Sequence, residues 1–432
     1  MTELGASERT ARCKRRMRND RSVRFGAGVV VLTGLLALGA AGCSKNRCEA
    51  GSHVDSEGLC VPDPVVDSGD TGLDTDTGDT DTGDTGDTGE TGDSGDSADT
   101  GDTGDTAGPA AEPVSFDVSA WVPSAAAWYG LSVAPDGSVW ATSTVGLLHL
   151  DPATGTSRLY GTADGLLTTS PRAVLAARDG TIWVGEVGTV DQQGEHFSVG
   201  ADGTLTLLAL IDYDVGTEQT AGYRIRQQPF GVGVGDIWMG MNEGACLWDT
   251  DLGVFAEHAH PRHPHGATRG LAFTPEGDVW SGDEYQLGRW RYSNDGSLSS
   301  SADLFEYWVP WPVELDAPVG IVDVDAADGH IWLASSLYGL ARVDVSDIAG
   351  ASVTTLYDTL GSALAVRALA DDAVFIGTAE GLYTLDVATD VMTAHGAHPE
   401  LAGPVQQLAA DGAGSMWLTR PGTLVRLDGV PR

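Results

Sequence analysis

Seven times after Pro113 the chain repeats one pattern. It is an apolar run, a turn often spelt Asp-Gly, a run carrying an aromatic, a short polar stretch, a glycine, and an alternating run that mostly closes on aspartate. LSVAPDGSVWATSTVGLLHLD spans Leu131–Asp151, and VLAARDGTIWVGEVGTVD spans Val174–Asp191. GVGVGDIWMGMNEGACLWD ends at Asp249, and LAFTPEGDVWSGDEYQLGRW starts at Leu271. VDVDAADGHIWLASSLYGLARVD, VRALADDAVFIGTAEGLYTLD and LAADGAGSMWLTRPGTLVRLD end at Asp344, Asp386 and Asp428. The aromatic anchors are Trp140, Trp183, Trp238, Trp280, Trp332, Phe375 and Trp417, about 40 to 55 positions apart.

A period of that length with strand-like runs and no helical periodicity predicts an all-β, seven-bladed β-propeller of four-stranded blades. Asp-Gly between two alternating runs suits a type I′ hairpin, in which both central residues need φ > 0. Each aromatic is expected to pack between neighbouring blades, and each later glycine to let the next strand start tightly. Only four residues follow Asp428, so the seventh repeat is expected to lack its outer strand. The segment Ser115–Trp121 has strand character and is expected to supply it, closing the ring and removing exposed sheet edges. Cys246 occupies an apolar slot and reads as a buried, inert thiol.

The repeats resemble the two-component regulator propeller repeat, W-x-G-T-x-x-G-L with a following aspartate. Phe375-Ile-Gly377-Thr378-Ala-Glu-Gly381-Leu382 is the closest copy, with Phe for Trp; Trp183-Val-Gly185 and Trp332 through Gly339-Leu340 are partial ones. The resemblance covers nearly all of residues 113–432 and implies the fold and, loosely, ligand sensing. The kinase and DNA-binding parts of that family's sensors are absent from this sequence. A second resemblance is to streptogramin lyase, also a seven-bladed propeller, carried by His263-Pro264-His265-Gly266 ahead of Leu271–Trp280. It points to His265 alone.

Four segments follow from composition: 1–42, 43–66, 67–112 and 113–432. Residues 9–24 hold eight Lys and Arg, and the apolar run GAGVVVLTGLLALGAAG follows from Gly26 to Gly42. A positive flank, a short apolar run and small residues are the parts of an export signal, and the run is short of the about 20 residues a membrane span needs. It ends Ala40-Ala41-Gly42-Cys43, which resembles the lipobox of bacterial lipoproteins, with Ala40 where that family usually has leucine. The resemblance implies lipidation of Cys43 and, with Ser44 following, an outer-membrane address; an ordinary cleaved signal is the alternative. Export brings an oxidising compartment, in which a Cys48–Cys60 disulfide is the simplest pairing once Cys43 carries lipid.

Residues 67–108 repeat Asp, Gly and Thr with almost nothing to bury, so they cannot offset the entropy of folding and read as a disordered acidic linker. About 45 residues of coil span roughly 35–40 Å, and like charges lengthen that. Calcium binding is the alternative, but Gly78 and Thr85 stand where an EF-hand loop needs ligands. The net charge of −38 argues against a nucleic-acid partner.

Three groups are candidates for chemistry, expected on the propeller face where the interblade loops lie. His258, His260, His263 and His265, beside Glu257, are imidazoles that suit a divalent metal, although no geometry-fixing motif accompanies them; His395 and His398 lie in another such loop. Tyr307, Trp308 and Trp311, after Glu306, are expected as loop aromatics able to stack on a sugar or grip a peptide. Arg224 and Arg226, in the insertion after the second repeat, offer cations to an acid. No nucleophile elbow, phosphate loop or dinucleotide fingerprint is present.

These features point to an exported, lipid-anchored, monomeric propeller serving as a non-enzymatic scaffold for an extracytoplasmic protein, peptide or glycan. The competing reading is a propeller enzyme centred on the His258–His265 loop, either a lyase of the streptogramin type or a metal-assisted hydrolase. No cofactor is expected beyond that divalent metal. Replacing Cys43→Ser should move the protein out of the membrane fraction on cell fractionation; a Cys43→Ser protein that stays in the membrane pellet removes the lipid-anchor reading.

Overall fold

The computed structural model describes residues 112–189, 192–211, 222–229, 234–242, 244–251, 253–259, 267–275, 277–285, 287–290, 305–308, 319–327, 329–345, 352–369 and 373–430, with two short segments, 52–54 and 60–62. The chain divides into two units, one holding residues 46–110 and the other the repeats. In the first, β1 (Ser52–Val54) pairs antiparallel with β2 (Cys60–Pro62), Val54 opposite Cys60. Cys43, Cys48 and the acidic linker lie outside the described residues.

The repeats build seven four-stranded antiparallel sheets. β3 (Val114–Asp117) is the first strand of this unit in chain order and belongs to the last sheet. Blade one is β4 (Trp128–Val133), β5 (Val139–Ser143), β6 (Gly146–Asp151) and β7 (Thr156–Tyr160). Blade two is β8 (Ala173–Ala176), β9 (Ile182–Thr189), β10 (Gln192–Val199) and β11 (Leu205–Ile211). Blade three is β12 (Arg224–Gln227), β13 (Ile237–Gly240), β14 (Ala245–Asp249) and β15 (Val254–Ala259). Blade four is β16 (Gly270–Phe273), β17 (Val279–Gly282), β18 (Leu287–Trp290) and β19 (Phe305–Trp308). Blade five is β20 (Ile321–Ala327), β21 (His330–Ser335), β22 (Gly339–Asp344) and β23 (Ser352–Tyr357). Blade six is β24 (Ala363–Leu369), β25 (Ala373–Thr378), β26 (Leu382–Asp386) and β27 (Val391–Ala394). Blade seven is β28 (Leu408–Ala410), β29 (Ser415–Arg420) and β30 (Thr423–Asp428), completed by β3.

The first strand of each blade touches the first strand of the next, from β4 through β8, β12, β16, β20, β24 and β28 and back to β4, so the seven inner strands form a closed ring. The ring is locked where the N-terminal strand joins the C-terminal blade, with Val114 opposite Arg426 and Asp117 opposite Thr423. Phe116 stacks on Trp417 at 5.4 Å between ring centroids.

The seven anchors are buried, and each joins a core shared with the following blade. Trp183 packs with Ile225, Ile237 and Met239, Trp280 with Ile321 and Leu333, and Phe375 with Leu408 and Met416. Trp417 packs with Val139 and Leu148 of blade one, so the packing also closes on itself. Gly339, at φ +80°, illustrates the tight start of an alternating strand: a Cβ there would stand 2.4 Å from the Tyr357 carbonyl oxygen.

The turns depart from the expected type. Among the described residues Asp390 is the only non-glycine with positive φ, so Asp136 and Asp179 are not in the left-handed region that a type I′ turn demands. The Gly137 N–H donates to the Ala134 carbonyl and the Ala134 N–H to the Ser138 carbonyl, with Gly137 at φ +84°. This is the three-residue hairpin that ends in a left-handed glycine. The aspartate serves through its side chain, accepting from the Ser138 N–H in one turn and from the Thr181 N–H in the next, each at 2.9 Å.

Truncating the closing strand's half-buried ring, Phe116→Ala, should lower the free energy of unfolding by about 1–2 kcal/mol. Trp121→Ala, 44% exposed just beyond that strand, should change it by less than about 0.5 kcal/mol. Urea denaturation of the two variants against the parent checks the contrast.

Candidate functional site in the axial channel

Side chains alternate along the inner strands, so one set enters the interblade cores and the other turns toward the axis. Ile225 and Val324 take the first role. Arg224 and Arg226 flank Ile225, and Asp323 and Asp325 flank Val324, so these four take the second. The Arg224 guanidinium donates to Asp323 Oδ1 at 2.5 Å, from blade three to blade five. Arg226 Nη1 donates to Asp325 Oδ1 at 3.3 Å, and Arg367 Nη1 on blade six donates to Asp323 Oδ2 at 2.9 Å. Arg224 Nη1 lies 3.4 Å from Gln407 Oε1 of blade seven. The contacts from blade three to blade five skip a blade, which only groups facing a common axis can do.

The aspartates also hold the backbone. Asp323 Oδ2 accepts from the Val366 N–H at 3.2 Å and Asp325 Oδ2 from the Ala368 N–H at 3.0 Å. Burial alone would raise the Asp323 carboxyl, but Arg224, Arg367 and Arg226 together hold it below the usual carboxylate range. Burial lowers Arg224 to about 9, with Arg226 and Arg367 adding and Asp323 opposing. Burial, then Arg367, lowers Arg226 in the same way.

Beside this network lies a cavity of about 260 Å³, bounded by the inner strands of blades one, two, three, six and seven. Its charged lining residues, among those described, are four arginines: Arg178, Arg224, Arg226 and Arg367. Residues 113–432 carry fourteen basic side chains, all arginine, so four of fourteen face one cavity. Arg178 is exposed and sits by the turn that joins β8 to β9, and Ala410 lies at the far end of β28. Both mark the end of the channel where the first and second strands of each blade turn.

A second polar group is buried in blade two. Glu186 on β9 and Glu195 on β10 are both wholly buried. The Leu167 N–H donates to Glu195 Oε1 at 2.5 Å. The Glu186 and Glu195 carboxyls hydrogen-bond to each other, with the Thr168 backbone beside Glu186. Burial first, then the charge of Glu195, raises Glu186; burial also raises Glu195. Two such carboxyls cannot both ionise cheaply, so the pair keeps a proton at neutral pH.

The sequence candidates fall differently. Arg224 and Arg226 belong to an inner strand and the axial network; they are not in an insertion at the loop face, because the repeat's first strand begins with them. Tyr307 and Trp308 lie in β19, the outer strand of blade four, with Trp308 opposite Leu287, so they are not loop residues; Trp311 lies outside the described residues. His258 belongs to outer strand β15, opposite Cys246, while His260, His263 and His265 lie outside the described residues. Among the described residues no three His, Cys, Asp or Glu side chains group as metal ligands. His395 shares a 2.8 Å hydrogen bond with Thr384, and its N–H backbone group donates to Leu382. Cys246 is buried and free, and burial raises its thiol. Asp323, Asp325 and Arg367 carry one signal in the sequence, a charge placed within an otherwise apolar first strand, while Arg178 lies in a turn and carries none.

No protein-family model matches the chain, and no curated protein sequence matches it. Among solved structures it is similar to virginiamycin B lyase from Staphylococcus aureus, with a TM-score of 0.51 and 14% identity over 73% of this chain and 99% of that one. It is also similar to the extracellular domain of a hybrid two component system from B. thetaiotaomicron. There the TM-score is 0.55 and the identity 15%, over 74% of this chain and 41% of that one. At such identities the likeness is one of fold, the seven-bladed propeller.

The glutamate pair sets a pH dependence. Its native values, about 9 for Glu186 and about 7 for Glu195, lie above the ordinary glutamate value, so the native state holds more protons than the unfolded chain. Its contribution to stability is therefore full below about pH 4 and is lost as pH rises through the native values. Thermal unfolding followed from pH 5 to 9 should show a falling midpoint, and Glu186→Gln should flatten most of that fall.

Proposed function

We propose that the protein is an exported, lipid-anchored propeller that works as a non-enzymatic binding module and takes its ligand in the axial cavity. The cavity itself carries the reading. It lies where five blades contribute first strands, sheet bounds it everywhere but at Arg178, and it presents guanidinium donors from blades two, three and six. A site on strands is positioned by the whole ring, which favours recognition of a fixed shape.

The address rests on the N-terminal signal. Cys43 would carry the lipid, the acidic linker would give the propeller reach, and the outer membrane is the proposed location. The extracellular two-component domain of the same fold supports a place outside the cytoplasm. The partner is proposed to be an extracytoplasmic molecule and the protein a monomer.

The plug variant Ala410→Trp tests the site. Ala410 is an exposed lining residue at the end of a short inner strand, so an indole there fills space without entering an interblade core. In a thermal-shift screen of metabolites, peptides and glycan fragments on the full chain, compounds that raise the parent's midpoint should fail to raise that of Ala410→Trp. Equal shifts in both would place binding elsewhere and remove this reading.

A further inference from the structure

The axial network is one negative charge short. Three arginines, Arg224, Arg226 and Arg367, face two aspartates, Asp323 and Asp325. The acceptor sites of Asp323 are also used up. Asp323 Oδ1 takes Arg224 and the Val324 N–H, and Oδ2 takes Arg367 and the Val366 N–H. Asp325 Oδ1 takes Arg226 Nη1 and Oδ2 the Ala368 N–H. Arg226 Nη2 is left over: it is buried, has no hydrogen-bond partner, and stands 3.9 Å from Asp323 Oδ1, beyond hydrogen-bonding reach. The Arg226 side chain also lines the cavity and is 21% exposed, so its charge lies within reach of an occupant.

We infer that the cavity is an anion site that receives the carboxylate of a small organic acid, with Arg226 as its principal donor and Arg178 at its rim. The inference rests on the reading of the axial cavity as the ligand site and names the ligand's chemistry. One carboxylate supplies the missing charge and two acceptor oxygens, and a guanidinium fork matches that group in geometry. A doubly charged oxyanion would overshoot the deficit of the buried network, Arg178 being exposed at the rim, and would set its second charge against Asp323 and Asp325. Size limits the rest of the ligand to that of a small metabolite, the cavity being about 260 Å³.

Calorimetric titration of the full chain with acetate, lactate and propionate, each beside its neutral amide and beside sulfate, tests the inference. At least one acid should bind while its amide does not, and Arg226→Gln should weaken that acid at least about tenfold. Arg178→Gln, at an exposed position, keeps the test open if Arg226→Gln does not fold, and should weaken the same acid by a smaller factor. Acids and amides binding alike, with Ala410→Trp abolishing both, would overturn the carboxylate assignment and leave the channel as the ligand site. Sulfate binding as tightly as every acid would overturn it in favour of a general anion site. No binding by any acid would also overturn it, and the wider thermal-shift screen would then decide whether the channel takes a ligand of another chemistry.

Discussion

A propeller blade has two apolar faces and cannot cover either alone, so this fold depends on the wedge of one large side chain between each pair of sheets. The second strand of every blade supplies it. Trp140, Trp183, Trp238, Trp280, Trp332, Phe375 and Trp417 are all buried against the following blade. Burying an aromatic of this size is a large share of what holds two sheets together. The sheets must approach closely for that, and glycine permits it: a Cβ at Gly240, two residues after Trp238, would lie 2.2 Å from the Thr268 carbonyl of the next blade. Any blade left without a successor would expose its wedge, so the ring has to close, and β3 on β30 is the closure.

Closing seven sheets brings seven strand edges to the axis, where no further strand can pair with them. Their N–H groups still need acceptors. Polar side chains of neighbouring inner strands provide them: Ser132 Oγ takes the Ala176 N–H, Gln227 the Arg178 N–H, and Gln406 the Trp128 N–H. Asp323 and Asp325 do the same for blade six, and their charge then calls for the arginines. The axial ion pairs are thus a consequence of the edge problem. Buried ion pairs add little net stability once desolvation is counted, so a surplus of cations over anions there is not explained by stability.

The architecture was legible in the sequence because its determinants are periodic. The anchors, the glycines and the unfinished last repeat gave the blade number and the strand that completes the ring. The site was less legible. Arg224 and Arg226 stood out as cations, but the long gap before Trp238 made them look like an insertion, when they open the first strand of blade three. Their partners lie 99 residues away in another repeat, and no local pattern ties the two. Tyr307 and Trp308 looked like loop residues because blade four lacks the closing aspartate that marks strand ends elsewhere, yet they form its outer strand. The turn type was misjudged for a smaller reason: Asp-Gly fits a two-residue hairpin by identity, whereas here the aspartate acts through its carboxylate and only glycine turns left-handed.

The charge distribution sharpens the reading of the channel. The chain carries −38 overall, and fourteen of its acids sit in residues 67–108 alone. Screening confines surface charges to a range of about 8 Å at physiological ionic strength. The channel lining carries Arg178, Arg224, Arg226 and Arg367, whose positive field acts on whatever enters. The outer surface, by contrast, repels polyanions before they reach the mouth. Together these favour a small acid with few charges, one that pays little on approach and gains a fixed guanidinium at the end. Exterior repulsion and interior attraction thus act as two successive filters on the same ligand.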